Sequence, residues 1–278
     1  MNITITGNLG SGKSSVCKEL EKSGFTIISA GDIFRQIAAE KGMTVIELNE
    51  AAKKDRSIDD MLDQRSTELG KTMDHTVFDS RLAWHFVQHS FKVFLLVDTK
   101  EAARRVFTGN SRSAETYQDI KEAQAGLEER AKLEQERFKN LYGIDYYDAC
   151  NYDLIIESTA ASPQQIAQEI RRNFELYQTQ PFSTKVEMNL KSLRFSDCQE
   201  GHPQAECIQK GQEQTLCADG SFCAGQKKGV FCLCGDVSKA EAAAASGKVF
   251  AVLERLEMGQ SEADEGKLRY MIDFAKVL

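Results

Sequence analysis

The chain has 278 residues, of which 41% are hydrophobic and 28% are charged, and its net charge at pH 7 is −7. This composition indicates a globular protein of one or two domains, and no apolar run reaches the ~18 residues of a membrane span. The net negative charge disfavours non-specific binding to nucleic acid, so we do not expect a nucleic acid as partner. Because there is no long apolar run, we do not expect a membrane as partner either.

The first predicted element is a short β-branched strand over residues 2–6, which begins directly after Met1 without the basic region and apolar core of a signal peptide. We therefore expect a cytoplasmic protein. Residues 7–14 follow and match G-x-x-x-x-G-K-[ST], the phosphate-binding P-loop, and residues 15–20 have helical apolar spacing. The residues that we expect to surround a polyphosphate are Gly7, Asn8, Leu9, Gly10, Ser11, Gly12, Lys13, Ser14 and Ser15.

Each part of this loop has a chemical reason. Glycines allow positive φ, so that backbone N–H groups can close around the anion, and the next helix directs its positive end at it. Lys13 is expected to reach the β- and γ-phosphates, and the Ser14 hydroxyl to bind Mg²⁺. A glycine turn that matches by chance is the alternative, but the flanking strand and helix favour a nucleotide site.

Further strands are predicted over residues 25–28, 76–79, 92–97 and 152–156. Helical patterns lie between them, over residues 33–70 and 100–140, and a last helix is predicted from Ser162-Pro163, with serine at the N-cap and proline at N1. Strands that alternate with helices and are apolar enough to be covered on both faces predict a parallel sheet.

Polar side chains follow the ends of several predicted strands, where open parallel sheets bind their ligands. They occur in the P-loop, in the segment from Ser29 to Arg35, and in Asp79-Ser80-Arg81. This clustering indicates a site for two ligands, a polyphosphate and a second anion that faces it. Asp79 either orients the waters of Mg²⁺ or the second ligand, or it closes the strand by bonding the loop backbone.

Arginines are the residues that suit phosphoryl transfer, because their planar guanidinium groups stabilise charge on phosphate oxygens. Arg35 and Arg81 follow strand ends, which favours a functional role for them. For the later arginines, surface ion pairs with nearby glutamates are an equally good interpretation. Those arginines are Arg105, Arg112, Arg130 and Arg137, and the glutamates are Glu128, Glu129, Glu134 and Glu136.

Three stretches together resemble the archaeal-type cytidylate kinase family of P-loop nucleoside-monophosphate kinases. They are residues 3–14, residues 29–35 and residues 138–145, and the resemblance extends over about residues 1–177. It implies an α/β fold with a five-stranded parallel sheet flanked by helices, and ATP on the P-loop as the phosphoryl donor. It also implies an insertion for the monophosphate over about residues 32–73 and a closing lid over about residues 105–140.

The resemblance assigns roles to single residues. It implies that Arg35 and Arg81 hold the acceptor monophosphate, that Ser29 and Asp32 shape the acceptor site, and that Lys13, Arg81, Arg130 and Arg137 act on the transferring group. Asp79 is a further candidate for substrate binding because of its own position after a strand. Ser80 stands where the family usually has glycine. We expect this difference to affect the choice of acceptor more than the chemistry of phosphoryl transfer. The implied reaction converts ATP and CMP, or dCMP, into ADP and the diphosphate.

The resemblance ends before residues 178–278, for which a small cysteine-containing domain is predicted. Its six cysteines are separated by 8, 9, 5, 8 and 1 residues, and none of these gaps is the C-x₂-C spacing of a strong zinc site. Zinc binding, disulfides and reduced thiols all remain open, and the sequence assigns no partner to this region. The glycines fit turns between small strands, whereas residues 238–245, 249–256 and 268–277 have helical patterns.

Two other functions remain open for the whole chain. One is a nucleotide-dependent binding protein that has lost turnover and signals its nucleotide state through the C-terminal part. The other is a P-loop kinase that acts on a different small acceptor. The presence of Lys13, Ser14, Arg35 and Arg81 favours a kinase over the binding protein.

Overall fold

The protein is described from a computed structural model covering residues 1–52, 54–109, 117–182, 185–189, 223–227, 230–234 and 250–253. The strands are β1 (Asn2–Gly7), β2 (Thr26–Ser29), β3 (Thr76–Asp79), β4 (Ser90–Leu96), β5 (Leu154–Glu157), β6 (Lys185–Asn189), β7 (Cys223–Lys227), β8 (Val230–Cys234) and β9 (Phe250–Leu253). The helices are α1 (Lys13–Lys22), α2 (Ala30–Glu40), α3 (Val45–Ala52), α4 (Ser57–Thr72), α5 (Ala83–Phe86), α6 (Thr99–Thr108), α7 (Ile120–Tyr142) and α8 (Pro163–Thr179).

The first five strands form a parallel sheet in the order β2-β3-β1-β4-β5, which confirms the predicted fold class. The central strand β1 is buried along its whole length, and its Ile3 is paired with Val77 on one side and Phe91 on the other. Because β1 ends in the glycine loop, the buried centre of the sheet fixes the position of that loop.

One face of this sheet is covered by α1 and α8. Val16 and Leu20 of α1 pack with Ile166 and Ile170 of α8 against apolar residues of β1, β4 and β5. Helix α8 begins as predicted, because Ser162 and Gln165 form a reciprocal capping box and proline follows the N-cap.

The helical region predicted over residues 100–140 contains two helices. Helix α6 ends at Thr108, and α7 begins after Asp119, whose carboxylate accepts from the Glu122 N–H at 2.8 Å. Asp119 provides the N-cap that a new helix needs. Residues 110–116, including Arg112, lie outside the described part of the chain.

Two strands from beyond residue 177 extend the same sheet. β6 pairs parallel to β5, and β9 pairs antiparallel to β6. The helical interpretation of residues 249–256 is therefore wrong for Phe250–Leu253, whose aromatic and β-branched residues suit a strand next to β6. The domain boundary at residue 177 stays a prediction, and the helical patterns of residues 238–245 and 268–277 lie outside the described residues.

A buried carboxylate connects β6 to α8. Glu187 has no exposed surface, and its Oε1 accepts from Lys185 at 2.9 Å and from Arg172 and Asn173 at 3.1 Å each. Burial and the neighbouring carboxylate of Glu169 raise the pKa of Glu187 to about 7. A polar network thus holds this strand to the helix.

β7 and β8 form a separate antiparallel hairpin in which Cys223 is paired with Cys234, consistent with small strands between turns. Three of the six C-terminal cysteines, Cys198, Cys207 and Cys217, lie outside the described residues, and the question of zinc stays open. Among the residues that the structure describes, no helix is both long and apolar enough to cross a membrane.

Candidate functional site

Three glycines give the loop after β1 its shape. Gly7, Gly10 and Gly12 have φ values of +158°, +76° and +83°, as predicted for glycines of a phosphate-binding loop. A Cβ atom on Gly7 would lie 2.4 Å from the Leu95 carbonyl oxygen, and one on Gly10 would lie 2.9 Å from the carbonyl oxygen and Cβ of Ala102. Side chains at these two positions would therefore push the loop away from β4 and α6.

Two polar atoms inside the loop are buried without a hydrogen-bond partner among the described residues, Asn8 Oδ1 and Ser11 Oγ. Buried polar groups are normally paired, so unpaired ones in a loop that begins a helix indicate a place for a polar ligand. Leu9 packs under the loop with Val97 and residues of α6 and α7, whereas Ser15 is exposed in the first turn of α1.

Lys13 is the cation of this loop, and its Nζ donates to the Gly7 carbonyl oxygen at 3.5 Å. Burial and, to a smaller extent, the positive charge of Arg81 lower the pKa of Lys13 to about 7, against the opposite effects of Asp79 and Glu134. Lys13 follows β1 and Arg81 follows β3, the strand paired with β1, so the two cations lie at the same edge of the sheet and repel each other. A polyanion between them would relieve that repulsion.

Ser14 and Asp79 bring two oxygen ligands together. The Ser14 hydroxyl donates to Asp79 Oδ2 at 3.3 Å, from the start of α1 to the end of β3. A hydroxyl and a carboxylate are hard oxygen donors of the kind that Mg²⁺ prefers. The donor set thus fits a magnesium ion next to the phosphate loop.

Arg81 follows β3 and is held by a turn next to the loop. Thr6 Oγ1 donates to the Ser80 carbonyl oxygen at 3.1 Å, which ties this turn to β1. Arg81 Nε donates to Glu134 Oε2 on α7 at 3.0 Å. The Arg81 side chain is only 21% exposed, and although burial opposes its charge, Glu134 raises the pKa of Arg81.

Arg130 shares the same carboxylate. Its Nε donates to the other oxygen, Glu134 Oε1, at 3.1 Å. Burial alone would raise the pKa of Glu134, but Arg81 and then Arg130 hold that pKa below its usual value. Two of the predicted phosphate-contacting arginines therefore meet at one carboxylate on α7.

Ser29, Asp32 and Arg35 form a local group at the start of α2. Ser29 Oγ accepts from the Asp32 N–H at 3.1 Å, and Asp32 Oδ2 accepts from the Ser29 N–H at 2.9 Å, which makes a capping box. Arg35 donates to Asp32 Oδ1 at 2.5 Å, and its side chain is 60% exposed. Ser29 is paired with Asp79 in the sheet, so this group begins at the same edge as the loop.

The end of α7 contacts α4. Arg137 Nη2 donates to Asp59 Oδ2 at 2.6 Å, and the Tyr142 hydroxyl donates to Asp63 Oδ2 at 2.7 Å. Burial raises the pKa of Asp63 to about 6. The structure therefore joins the predicted lid and the predicted acceptor insertion, and Arg137 lies at that junction.

Sequence reasoning did not identify the roles of Glu134 and Arg105 in this site. The i,i+4 spacing of Arg130 and Glu134 indicates their ion pair from the sequence. Nothing in the sequence indicates the contact of Glu134 with Arg81, which is 53 residues away. Arg105 donates to the carbonyl oxygens of Ser158 at 2.9 Å, Thr159 at 2.8 Å and Ser11 at 3.4 Å. It thus joins the glycine loop to the turn after β5.

Comparison with known proteins gives matches to the first part of the chain. The model of the cytidylate kinase-like family matches residues 2–160. A protein of Methanocella arvoryzae named cytidylate kinase is 38% identical over 160 residues, which are 57% of this chain and 88% of that protein. A cytidylate kinase of Natronomonas pharaonis is 37% identical over 166 residues, 59% of this chain and 83% of that protein.

Similarity to solved structures is more distant. The crystal structure of a shikimate kinase from Bacteroides thetaiotaomicron aligns with 64% of this chain and 98% of its own length, at 17% sequence identity and a TM-score of 0.46.

Proposed function

Because the chain belongs to the cytidylate kinase-like family, we propose that it transfers the γ-phosphoryl group of ATP to CMP or dCMP, giving ADP and the nucleoside diphosphate. It is a nucleoside-monophosphate kinase, and its substrates are nucleotides. The observation that supports this function best is that the loop of Lys13 and the turn of Arg81 follow the paired strands β1 and β3. Two hydrogen bonds join them, from Thr6 Oγ1 to the Ser80 carbonyl oxygen at 3.1 Å and from the Ser14 hydroxyl to Asp79 Oδ2 at 3.3 Å. A donor phosphate on one cation would face an acceptor phosphate on the other.

The proposed reaction is an in-line displacement. An oxygen of the acceptor monophosphate attacks the γ-phosphorus of ATP, a new P–O bond forms, and the bond to the β-phosphate oxygen breaks to release ADP. The nucleophile is already an anion, so the protein has little proton transfer to perform. Its task is to position the two phosphates and to stabilise the charge on the γ-phosphoryl oxygens.

On the donor side, we assign the β- and γ-phosphates to Lys13 and to the backbone of residues 7–15. The unpaired Ser11 hydroxyl, which can donate to a phosphate oxygen, and the positive φ values of the glycines support this assignment. Ser14 and Asp79 would hold Mg²⁺, which neutralises phosphate charge when bound.

On the acceptor side, we assign the monophosphate to Arg81 and Arg35, with Ser29, Asp32 and Asp79 as the residues that shape this part of the site. Arg130 and Arg137 are assigned to the transferring group. Both lie on α7, so movement of this helix would bring them to the phosphoryl group and exclude water from it.

The test is an assay of ADP formation with the acceptors CMP, dCMP, UMP, AMP and dTMP. We expect acceptor-stimulated ADP release, fastest with CMP or dCMP. A protein that only signals its nucleotide state would release no ADP in response to any acceptor, and a kinase for another small molecule would ignore the whole panel. Both alternatives can thus be separated from the proposed function.

The remaining expectations concern the setting of the protein. We propose a cytoplasmic enzyme with small-molecule substrates, without nucleic acid or membrane as partner, on the basis of its acidic charge and lack of long apolar runs.

A further inference from the structure

Glu134 lies between two cations that the proposed function assigns to phosphates. One carboxylate oxygen accepts from Arg81 Nε at 3.0 Å and the other from Arg130 Nε at 3.1 Å. Its side chain is 21% exposed, as is that of Arg81. A carboxylate that offers two oxygens to two guanidinium groups resembles a phosphate in charge and in hydrogen-bonding geometry.

The surrounding charges explain why an anion is needed here. Arg81 and Arg130 bring two permanent positive charges to Glu134, and Lys13 adds a third when it is protonated. Repulsion from Arg81 is part of the reason for the lowered pKa of Lys13. Asp79 and Glu134 supply the negative charges that oppose it. Asp79 bonds Ser14, whereas Glu134 bonds the arginines directly.

The two bonds of Glu134 differ in what they connect. Arg130 is on α7 itself, four residues earlier, so this bond moves with the helix. Arg81 belongs to the turn after β3, so its bond to Glu134 connects α7 to the sheet. A ligand that competes with Glu134 for Arg81 therefore breaks this connection between α7 and the sheet, whereas the bond between Arg130 and Glu134 is kept.

We propose that Glu134 is a positioning residue that occupies the place of a substrate phosphate between Arg81 and Arg130, and that the acceptor phosphate displaces it from Arg81. This inference rests on the proposed function. In the ligand-free protein Glu134 keeps Arg81 oriented and neutralised. On binding, the acceptor phosphate takes over the Arg81 bond, so the affinity for the acceptor is lowered by the competition with Glu134.

The experiment is calorimetric binding of CMP, and separately of inorganic phosphate, to the full chain without ATP. Glu134→Gln removes the charge and keeps the size, and we expect the Kd of both probes to fall by at least about fivefold. Glu134→Asp keeps the charge but shortens the reach, so we expect a smaller fall. Glu128→Gln is the matched control, because Glu128 is on the same helix and accepts a hydrogen bond from Gln124. We expect this variant to bind both probes with the Kd of the wild type.

Kinetics give a second measurement that a purely structural role would not produce. With Glu134→Gln we expect the KM for CMP to fall while kcat also falls, because Arg81 and Arg130 bind the phosphate more readily but are no longer aligned by the carboxylate. A variant that is only destabilised would show no tighter binding. Unchanged or weaker binding of both probes to the folded Gln and Asp variants would overturn the inference.

The two proposals can fail separately. If the wild type transfers no phosphoryl group to any acceptor, but inorganic phosphate binds more tightly to Glu134→Gln, the role of Glu134 stands and the function is wrong. If the wild type phosphorylates CMP and neither variant binds CMP or phosphate more tightly, the function stands and the role of Glu134 is wrong. Should the Gln variant fail to fold, the Asp variant decides the question.

Discussion

Arg137 on α7 donates to Asp59 on α4 at 2.6 Å, so one of the arginines assigned to the transferring phosphoryl group is bound to the acceptor insertion. The bond between Tyr142 and Asp63 strengthens the same contact. Two side-chain hydrogen bonds therefore join the lid helix to the insertion. A guanidinium group has five N–H donors, so Arg137 can bind a phosphate with donors other than the one that contacts Asp59.

Replacing Arg137 with alanine is expected to separate catalysis from stability. Loss of a guanidinium group that stabilises transition-state charge should lower kcat about 100-fold. The Arg137 side chain is 55% exposed, so losing its ion pair should lower the free energy of unfolding by only about 0.2–1 kcal/mol. Saturating kinetics and urea unfolding measure the two effects. Arg171→Ala, which removes an exposed arginine of α8 paired with Glu175, is the control, and wild-type kcat in Arg137→Ala would disprove the assignment.

Lys13→Met is expected to abolish transfer while making the ligand-free protein more stable. Burial lowers the pKa of Lys13 to about 7 in the folded state, so at pH 6, where Lys13 is mostly charged, the folded protein carries most of the cost of a partly buried ammonium group. Methionine fills similar space without that charge. We expect kcat to fall by roughly 10³-fold or more and the free energy of unfolding at pH 6 to rise. Activity close to that of the wild type, or lower stability at pH 6, would contradict this account of Lys13.

ATP binding is expected to be coupled to protonation of Lys13. At pH 8 most ligand-free molecules have a neutral Lys13, because its pKa is about 7. The phosphates of ATP favour the ammonium form, so binding at pH 8 should take up close to one proton, and binding at pH 6 should take up almost none. Calorimetric titrations in two buffers with different ionisation enthalpies measure this number. Equal proton uptake at the two pH values would show that Lys13 does not titrate as described.

Glu187 is expected to make stability depend on pH. Its pKa is raised from 4.5 to about 7 on folding, so between these values the folded state binds more protons than the unfolded state. The free energy of unfolding contributed by Glu187 therefore falls as the pH rises from about 4.5 to 7. Glu187→Gln should flatten this dependence and leave kcat unchanged. Urea unfolding at pH 5, 6.5 and 8 measures the free energy of unfolding of the wild type and the variant. If this free energy changes with pH to the same extent in both proteins, this role for Glu187 is excluded.

Local signals predicted most of the sheet and the glycine loop. The alternation of strand and helix, the pattern of residues 7–14 and the capping signal at Ser162-Pro163 are all encoded within a few neighbouring residues, and the structure has each of them. The capping box between Ser29 and Asp32 is also local, although it was not predicted. These features do not depend on which distant segment packs against them.

Features that depend on distant partners could not be predicted. The segment at Phe250–Leu253 has apolar residues compatible with a helix or a strand, and its pairing with β6 decides between them. Glu134 has a local partner in Arg130, and only the folded chain brings Arg81 to its other oxygen. Asp59 likewise meets Arg137 from 78 residues away.

The antiparallel pairing of β6 with β9 has a consequence for the architecture of the chain. Asn189 is paired with Phe250, so the two ends of the stretch 190–249 leave the sheet at adjacent positions. In topological terms this stretch is an excursion, that is, a long connection between the neighbouring strands β6 and β9, and not a tail appended to the enzyme. Evolution could lengthen, shorten or exchange such an excursion without altering the order of the strands that carry the nucleotide site.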